Sequence, residues 1–445
     1  MFTVAAHRPS STRHPLHPSR LDRKTGLLPE MAVVLASVRS DVEGMAELLE
    51  RLGPGLHWPL VVALAEREMA TPVLLRRLRQ LRKLDREPKG LDPSAFGHLA
   101  RLAMVHEFRI LEMERRLGEL LDVYEEEGIH VLLLKGAALW HTVYKKPADR
   151  PMGDVDVLVE PDRADDAWEL ARIRGWGRVV DTVPMEVFDE HQHMARLYDE
   201  SGLGLGLEIH TDLFPEWHPF HFATADLWTH AEALPEREYI HVPSPGHLLL
   251  HNCLHFAWSH AFGYGVWKAI RDTDALLRRG EVELDRFAEE ARQARAASCA
   301  FWTLHLAQAW SGVPVPDDLP LTLGRPVPTL ALAPLRRHLA AALTTQPEHG
   351  LPVRLGHALW EAAVRPGRSG HGDIRPWSHG EVWAAEATDP ETQAAVRPAG
   401  DEGDGGRDGE EGSRAGTGPL AVPEPSALAR SGAAVRHLVR LATGR

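Results

Sequence analysis

Residues 131–159, VLLLKGAALWHTVYKKPADRPMGDVDVLV, constrain the fold more than any other stretch of the chain. Residues 129–134 form a short β-branched and leucine-rich run, which suits a strand buried on both faces. Lys135 and Gly136 follow, and the glycine lets the backbone turn tightly. The next residues, AALWHTVY, predict one or two helical turns. Pro147 and Pro151 then frame a loop that carries Arg150. From Asp154 to Val159 acids and aliphatics alternate, the pattern of a half-buried strand with its polar face turned to a cleft. Asp154 and Asp156 stand i, i+2 and therefore share that face. A strand-to-glycine-to-helix turn suits a phosphate, and paired carboxylates suit a divalent metal.

The flanks predict an α+β protein whose small mixed sheet lies between helical regions. Pro161 marks the start of a helix that ends at Gly175, and further strands are expected over 176–180, 194–198 and 203–210. Upstream, Asp92 or Ser94 can cap a helix in which Leu99, Leu102, Ala103, His106, Ile110, Met113, Leu117 and Leu121 form one apolar stripe, and Gly128 stops it. From Ala223 onward helices dominate, with weaker helical signals after residue 318. The expected boundaries are a disordered leader at 1–30, an N-terminal helical region at 31–128, the α/β core at 129–222 and a helical domain at 223–365. A largely disordered linker at 366–424 follows, acidic and glycine-rich, and 425–445 is either a short basic amphipathic helix or a frayed tail.

Composition narrows the class of partner. Against 50 Lys and Arg stand 63 Asp and Glu, a formal net charge of −13, which argues against a long nucleic acid as substrate. The 2 cysteines, Cys253 and Cys299, cannot build a disulfide framework and fit a reducing cytoplasm. No apolar run approaches the roughly 18 residues of a membrane span. The basic, Ser/Pro/His-rich start lacks the apolar core of a secretory signal and reads as a leader, or alternatively as a presequence.

A divalent metal at Asp154 and Asp156 needs a third acid from a neighbouring strand, and Glu208 in GLGLEIHTDL is the best placed. It would complete the metal site or deprotonate an acceptor. His210 follows by two and should share its face. His191 and His193 precede a strand and are cleft candidates. His247, His251 and His255 share one helix face without the intervening glutamate of a zinc protease, so cleft or core packing fits them better than a dedicated transition-metal site, with His255 the cleft candidate.

The order LLLKGAALW, RPMGDVDVLV, LEIH, LLLHNCLHFAW and RDTDALL resembles a nucleotidyltransferase-like family within the DNA-polymerase-β-type superfamily. The likeness spans roughly residues 107–277. It implies a phosphate turn at Gly136-Ala137, metal ligands at Asp154 and Asp156, a third acid at Glu208, and phosphate-side cations at Lys135 and Arg150. Ala137 stands where the superfamily usually has Gly or Ser. Lys135 could instead end its strand in solvent, and Arg150 could pair with Asp149 or with a metal ligand. Asp272 fits a structural role. The implied reaction moves an NMP group from an NTP, with Mg2+ or Mn2+, to a hydroxyl-type acceptor that is a small molecule or a protein or peptide. The alternatives are a non-catalytic nucleotide- or partner-binding protein on the same fold, and a kinase-like phosphotransferase.

Overall fold

The structure is a computed structural model that describes residues 21–364 except 23–24, 180–191, 216–217, 325 and 344–350. The leader, the acidic linker and the C-terminal basic segment therefore lie outside the described residues. Five helices come first: α1 Pro29–Ala36, α2 Glu43–Leu52, α3 Trp58–Arg67, α4 Thr71–Lys83 and α5 Pro93–Glu126. The 34-residue α5 starts as its sequence suggests. Pro93 opens the first turn, and Asp92 accepts from the Ser94 amide at 3.0 Å. The stripe from Leu99 to Leu121 is buried, and α5 packs against α4 and α3, with Leu102 half-buried at the stripe's margin.

Next come β1 Val131–Leu133, α6 Lys135–Thr142, β2 Asp154–Val159, α7 Ala164–Ile173, β3 Arg178–Val179, β4 Leu197–Tyr198 and β5 Gly206–His210. After α8 Thr224–Thr229 the chain returns to the sheet as β6 Glu232–Ala233 and β7 Ile240–Val242. The sheet has 7 strands in the order β3-β4-β5-β2-β1-β7-β6. Its pairs are antiparallel except β2 with β5 and β1 with β7. The mixed sheet bears out the α+β expectation, but it reaches further than the sequence suggested. Helices were expected to take over from Ala223, whereas β7 pairs with β1, Val131 opposite Ile240. Strands of two or three residues are too short to show a period. The one available signal was an isoleucine–valine pair closed in by Pro235 and Pro243.

The helices after the sheet are α9 Pro245–Leu254, α10 Val266–Arg279, α11 Leu284–Gln293, α12 Ala297–Ser311, α13 Leu319–Leu323, α14 Thr329–Ala342 and α15 Leu351–Val364. Ser244 caps α9 by accepting from the His247 amide at 3.3 Å. This half is keyed to the first helices through α10. Arg271 donates to the carbonyls of Asp149 at 2.6 Å and Val38 at 2.7 Å. The Trp267 amide donates to the buried carboxylate of Glu68 at 3.2 Å. One apolar core runs from Leu27 to Val364 through every layer, so the sheet is held rigidly between the two helical groups.

The join between α9 and α10 departs from regular geometry. Residues His255–Ser259 form a π-helical turn, and Ala261 and Phe262 then take left-handed conformations at φ 45° and 58°. Such backbone recurs where side chains must be aimed at a site. Gly265, at φ 67°, closes the turn with the His260 ring against it: a Cβ there would meet His260 Nδ1 at 3.0 Å.

Candidate active site

The register of β2 and β5 builds the site. In this parallel pair Asp154 lies opposite Gly206, Asp156 opposite Glu208 and Leu158 opposite His210. Alternation then puts Asp154, Asp156, Glu208 and His210 on one face of the sheet. The gap left by Gly206 is crossed by Arg196, from the residue before β4; a Cβ at Gly206 would meet Arg196 Nε at 3.3 Å. One terminal nitrogen of Arg196 pairs with both Asp154 and Glu208, the latter at 3.0 Å.

A second cation enters from the strand-to-helix turn. Lys135 Nζ lies 2.7 Å from Asp156 Oδ1, and His210 Nε2 lies 3.1 Å from the same oxygen and 3.5 Å from Glu208 Oε2. Burial opposes charge on every one of these groups, and their mutual attraction overrides it. Asp156 is held well below the usual carboxylate range by Lys135 and His210, and Glu208 falls to about 2 beside Arg196 and His210. In the same way the carboxylates raise Lys135, Arg196 and His210 above their ordinary values. The site is thus a charged network in a poorly solvated pocket.

The turn itself works differently from the sequence reading. The residue in the left-handed region is Lys135, at φ 45°, and not Gly136. What Gly136 supplies is clearance: a Cβ there would lie 2.6 Å from Met152 Sδ and 3.4 Å from Arg150 Nη1. Ala137 is buried, with its methyl group packed in the core, which leaves the first amides of α6 as the groups this turn can offer an anion. Arg150 is taken up elsewhere. Its Nε reaches both oxygens of Asp272 at 2.8 and 2.9 Å, Nη2 adds a third bond at 2.8 Å, and Tyr144 donates to the same carboxylate at 2.8 Å. Of the two sequence readings of Arg150, pairing describes it, with Asp272 rather than Asp149 as the partner. Asp149 pairs instead with Arg76.

Among the histidines, His210 joins the carboxylates, and His193 packs edge-on to it at 5.3 Å between ring centres. His191 lies outside the described residues. His255 sits on the π-helical turn, its ring centre 4.1 Å from that of His260, which in turn lies 3.7 Å from that of Tyr264. Burial, with Lys135 nearby, keeps His251 at about 3 and His255 well below its ordinary value, so both are neutral rings.

Two cations escaped the sequence reading. Arg196 follows the alternation of MARLY, in which Leu197 is buried, so the pattern did place it on the face opposite that leucine. Lys268 interrupts a buried helical run between Trp267 and Ala269. Its ammonium makes no hydrogen bond or ion pair among the described residues, and burial together with the charge of Arg150 lowers its pKa. The charges of Asp154, Glu68 and Asp272 oppose that shift.

The donor set suits a divalent cation. Asp156, Glu208 and His210 each offer a ligand atom, and these atoms lie within 4.8 Å of one another. Two carboxylates fit Mg2+ or Mn2+, and the imidazole adds a nitrogen donor. No helix among the described residues is long and apolar enough to cross a membrane. Comparison with curated proteins and with solved structures gave no significant match. The family comparison is positive: residues 54–312, more than half of the chain and the whole of the site just described, match a family described as uncharacterised nucleotidyltransferase. The chain belongs to that family, and its enzyme class is nucleotidyltransferase.

Proposed function

We propose that this protein transfers an NMP group from an NTP to a hydroxyl on a small molecule or a protein or peptide, releasing pyrophosphate, with a divalent cation held at the carboxylates. One observation carries the reading: in a chain of this family, Asp154, Asp156 and Glu208 converge on one sheet face beside the first turn of α6. Asp156 and Glu208, with Asp154 alongside, would hold the cation, which when bound supplies positive charge to the phosphate oxygens. The amides of Gly136 and Ala137 and the ammonium groups of Lys135 and Lys268 bind and orient the triphosphate. The acceptor oxygen attacks the α-phosphorus, the bond from that phosphorus to the β-phosphate oxygen breaks, and its electron pair leaves on pyrophosphate. Glu208, ionised in this network, accepts the acceptor's proton, or serves as a ligand while solvent takes the proton. His255, His260 and Tyr264 wall the cleft on the helical side, with His193 on the sheet side. The buried free thiols of Cys253 and Cys299 suit the cytoplasm, where we place the protein. Incubation with NTPs labelled on the α- or the γ-phosphate tests the reaction: α-label in a new product supports it, and γ-label in the product indicates a kinase-like phosphotransfer instead.

A second reading has its own support. Every carboxylate of the site already has a cationic partner, so the fold could bind a nucleotide or a partner without turnover. Thermal melting separates the two: no shift with NTP and divalent metal, against a large one with a partner protein, would favour the silent site.

A further inference from the structure

We infer that His210 is a direct metal ligand with Asp156 and Glu208, and that this site prefers a first-row transition ion, with Mn2+ as the probe, over Mg2+. The inference deepens the proposed function and rests on it for the role of the ion, although the metal site can be tested alone.

Three features of the geometry point to it. His210 is 3% exposed, and its Nε2 points between two acids, 3.1 Å from Asp156 Oδ1 and 3.5 Å from Glu208 Oε2. Its other ring nitrogen, Nδ1, faces the backbone carbonyl of Asp212 at 3.3 Å. A carbonyl can only accept, so the Nδ1–H tautomer satisfies that contact and turns the lone pair of Nε2 toward the two carboxylates. Three donors then converge with Lys135 Nζ, 2.7 Å from Asp156 Oδ1, as the cation at that oxygen, a charge that a metal ion can take over. A backbone carbonyl behind a metal-bound histidine is also the usual way proteins fix the ring and its tautomer.

The second feature is the division of labour around Glu208. Its Oε1 faces Arg196 and its Oε2 faces His210, so one carboxylate belongs to two different neighbourhoods. Asp154 lies on the Arg196 side, and the convergent set is Asp156, Glu208 and His210, without Asp154. The third is ligand chemistry. Mg2+ favours oxygen donors in a strict octahedron and gives up water reluctantly, whereas imidazole binds later first-row ions better. A site with one nitrogen among three protein donors is therefore biased away from Mg2+.

The test uses the full chain, with Mn2+ as probe. Free Mn2+ is followed by electron paramagnetic resonance during titration with and without Mg2+, and electron spin echo modulation of the bound ion detects a coordinated nitrogen. The account expects one Mn2+ site at least about 10-fold tighter than for Mg2+, with 14N coupling on the bound ion. In His210→Gln that coupling should vanish and Mn2+ affinity should fall by about 10-fold or more, while Asp154→Asn keeps the coupling. Absence of 14N coupling in the unmodified protein, or its persistence in His210→Gln, overturns the inference. The unmodified-protein measurement decides the matter even if the variant fails to fold. Nucleotidyl transfer with Mg2+ and no nitrogen coupling would sink this inference alone. Nitrogen coupling without any nucleotidyl transfer would leave the metal site standing and remove the proposed reaction.

Discussion

Arg150 and Arg196 both bind carboxylates, and they do so in opposite ways. Arg150 is 6% exposed and Asp272 2%, and the pair is closed: three bonds join them, Tyr144 donates to the acid, and Arg150 Nη1 donates to the Pro151 carbonyl at 3.0 Å. Arg196 is half-buried and open. A single terminal nitrogen is shared between acids on two sequence-distant residues, and its buried Nε has no hydrogen-bond partner among the described residues. A closed pair fixes geometry, since breaking it leaves a charge stranded away from water. An open pair holds carboxylates ionised and in place, yet an incoming cation can replace it. The comparison teaches that residue type alone does not tell a closed ion pair from an open one. The number of satisfied donors does.

The sharpest way to break this contrast is to neutralise the open side. Asp154→Asn with Asp156→Asn should lower nucleotidyl transfer by about 10000-fold, roughly 5 kcal/mol in barrier height, in a protein with an unchanged circular dichroism spectrum. Arg150→Met attacks the closed pair and should cost about 3–5 kcal/mol in urea denaturation, because Asp272 is left buried and alone. Adding Asp272→Leu should restore much of that loss, whereas Arg196→Met should change stability by less than about 1 kcal/mol. Lys268→Ala should raise the KM for NTP by about 10-fold, a loss of roughly 1.4 kcal/mol in binding, with a melting temperature close to that of the unmodified protein. An unchanged KM would remove Lys268 from the phosphate site.

A weaker effect comes from the buried neutral rings beside the site. Burial lowers His251 to about 3 from 6.5, so the unfolded chain binds its proton more readily than the folded one. With a depressed folded pKa on a base, stability is intact above 6.5 and declines as the pH falls below it, by up to about 1.4 kcal/mol per pH unit for each such histidine. Replacing His251 with Asn should flatten that limb of the stability–pH curve between pH 6 and 4. An equally steep limb would show that other groups govern it.

How much of this was legible in the sequence follows from distance along the chain. Asp154, Asp156 and the turn before them lie within one short stretch, and period two put both acids on one face. Glu208 and His210 were legible as a face of their own, by the same period, but alternation carries no information about which strand lies alongside. The parallel pairing of β2 with β5 is a tertiary fact. Arg196 was missed for that reason: its target is another strand's acids, reached only because Gly206 leaves a gap. Lys268 was missed because a lone lysine in a helix looks like a solvated position until the packing around it is known. The left-handed Lys135 went unread because a glycine stood next to it and offered the easier explanation.

The most direct test of the central claim is a product analysis. The protein is incubated with Mg2+ or Mn2+, each NTP labelled in turn on the α- and γ-phosphate, and an extract containing metabolites and peptides. The account predicts α-label in a new product, γ-label in pyrophosphate, and neither with the Asp154→Asn, Asp156→Asn double variant. A product carrying the γ-label, or undiminished α-labelling by the double variant, would contradict it.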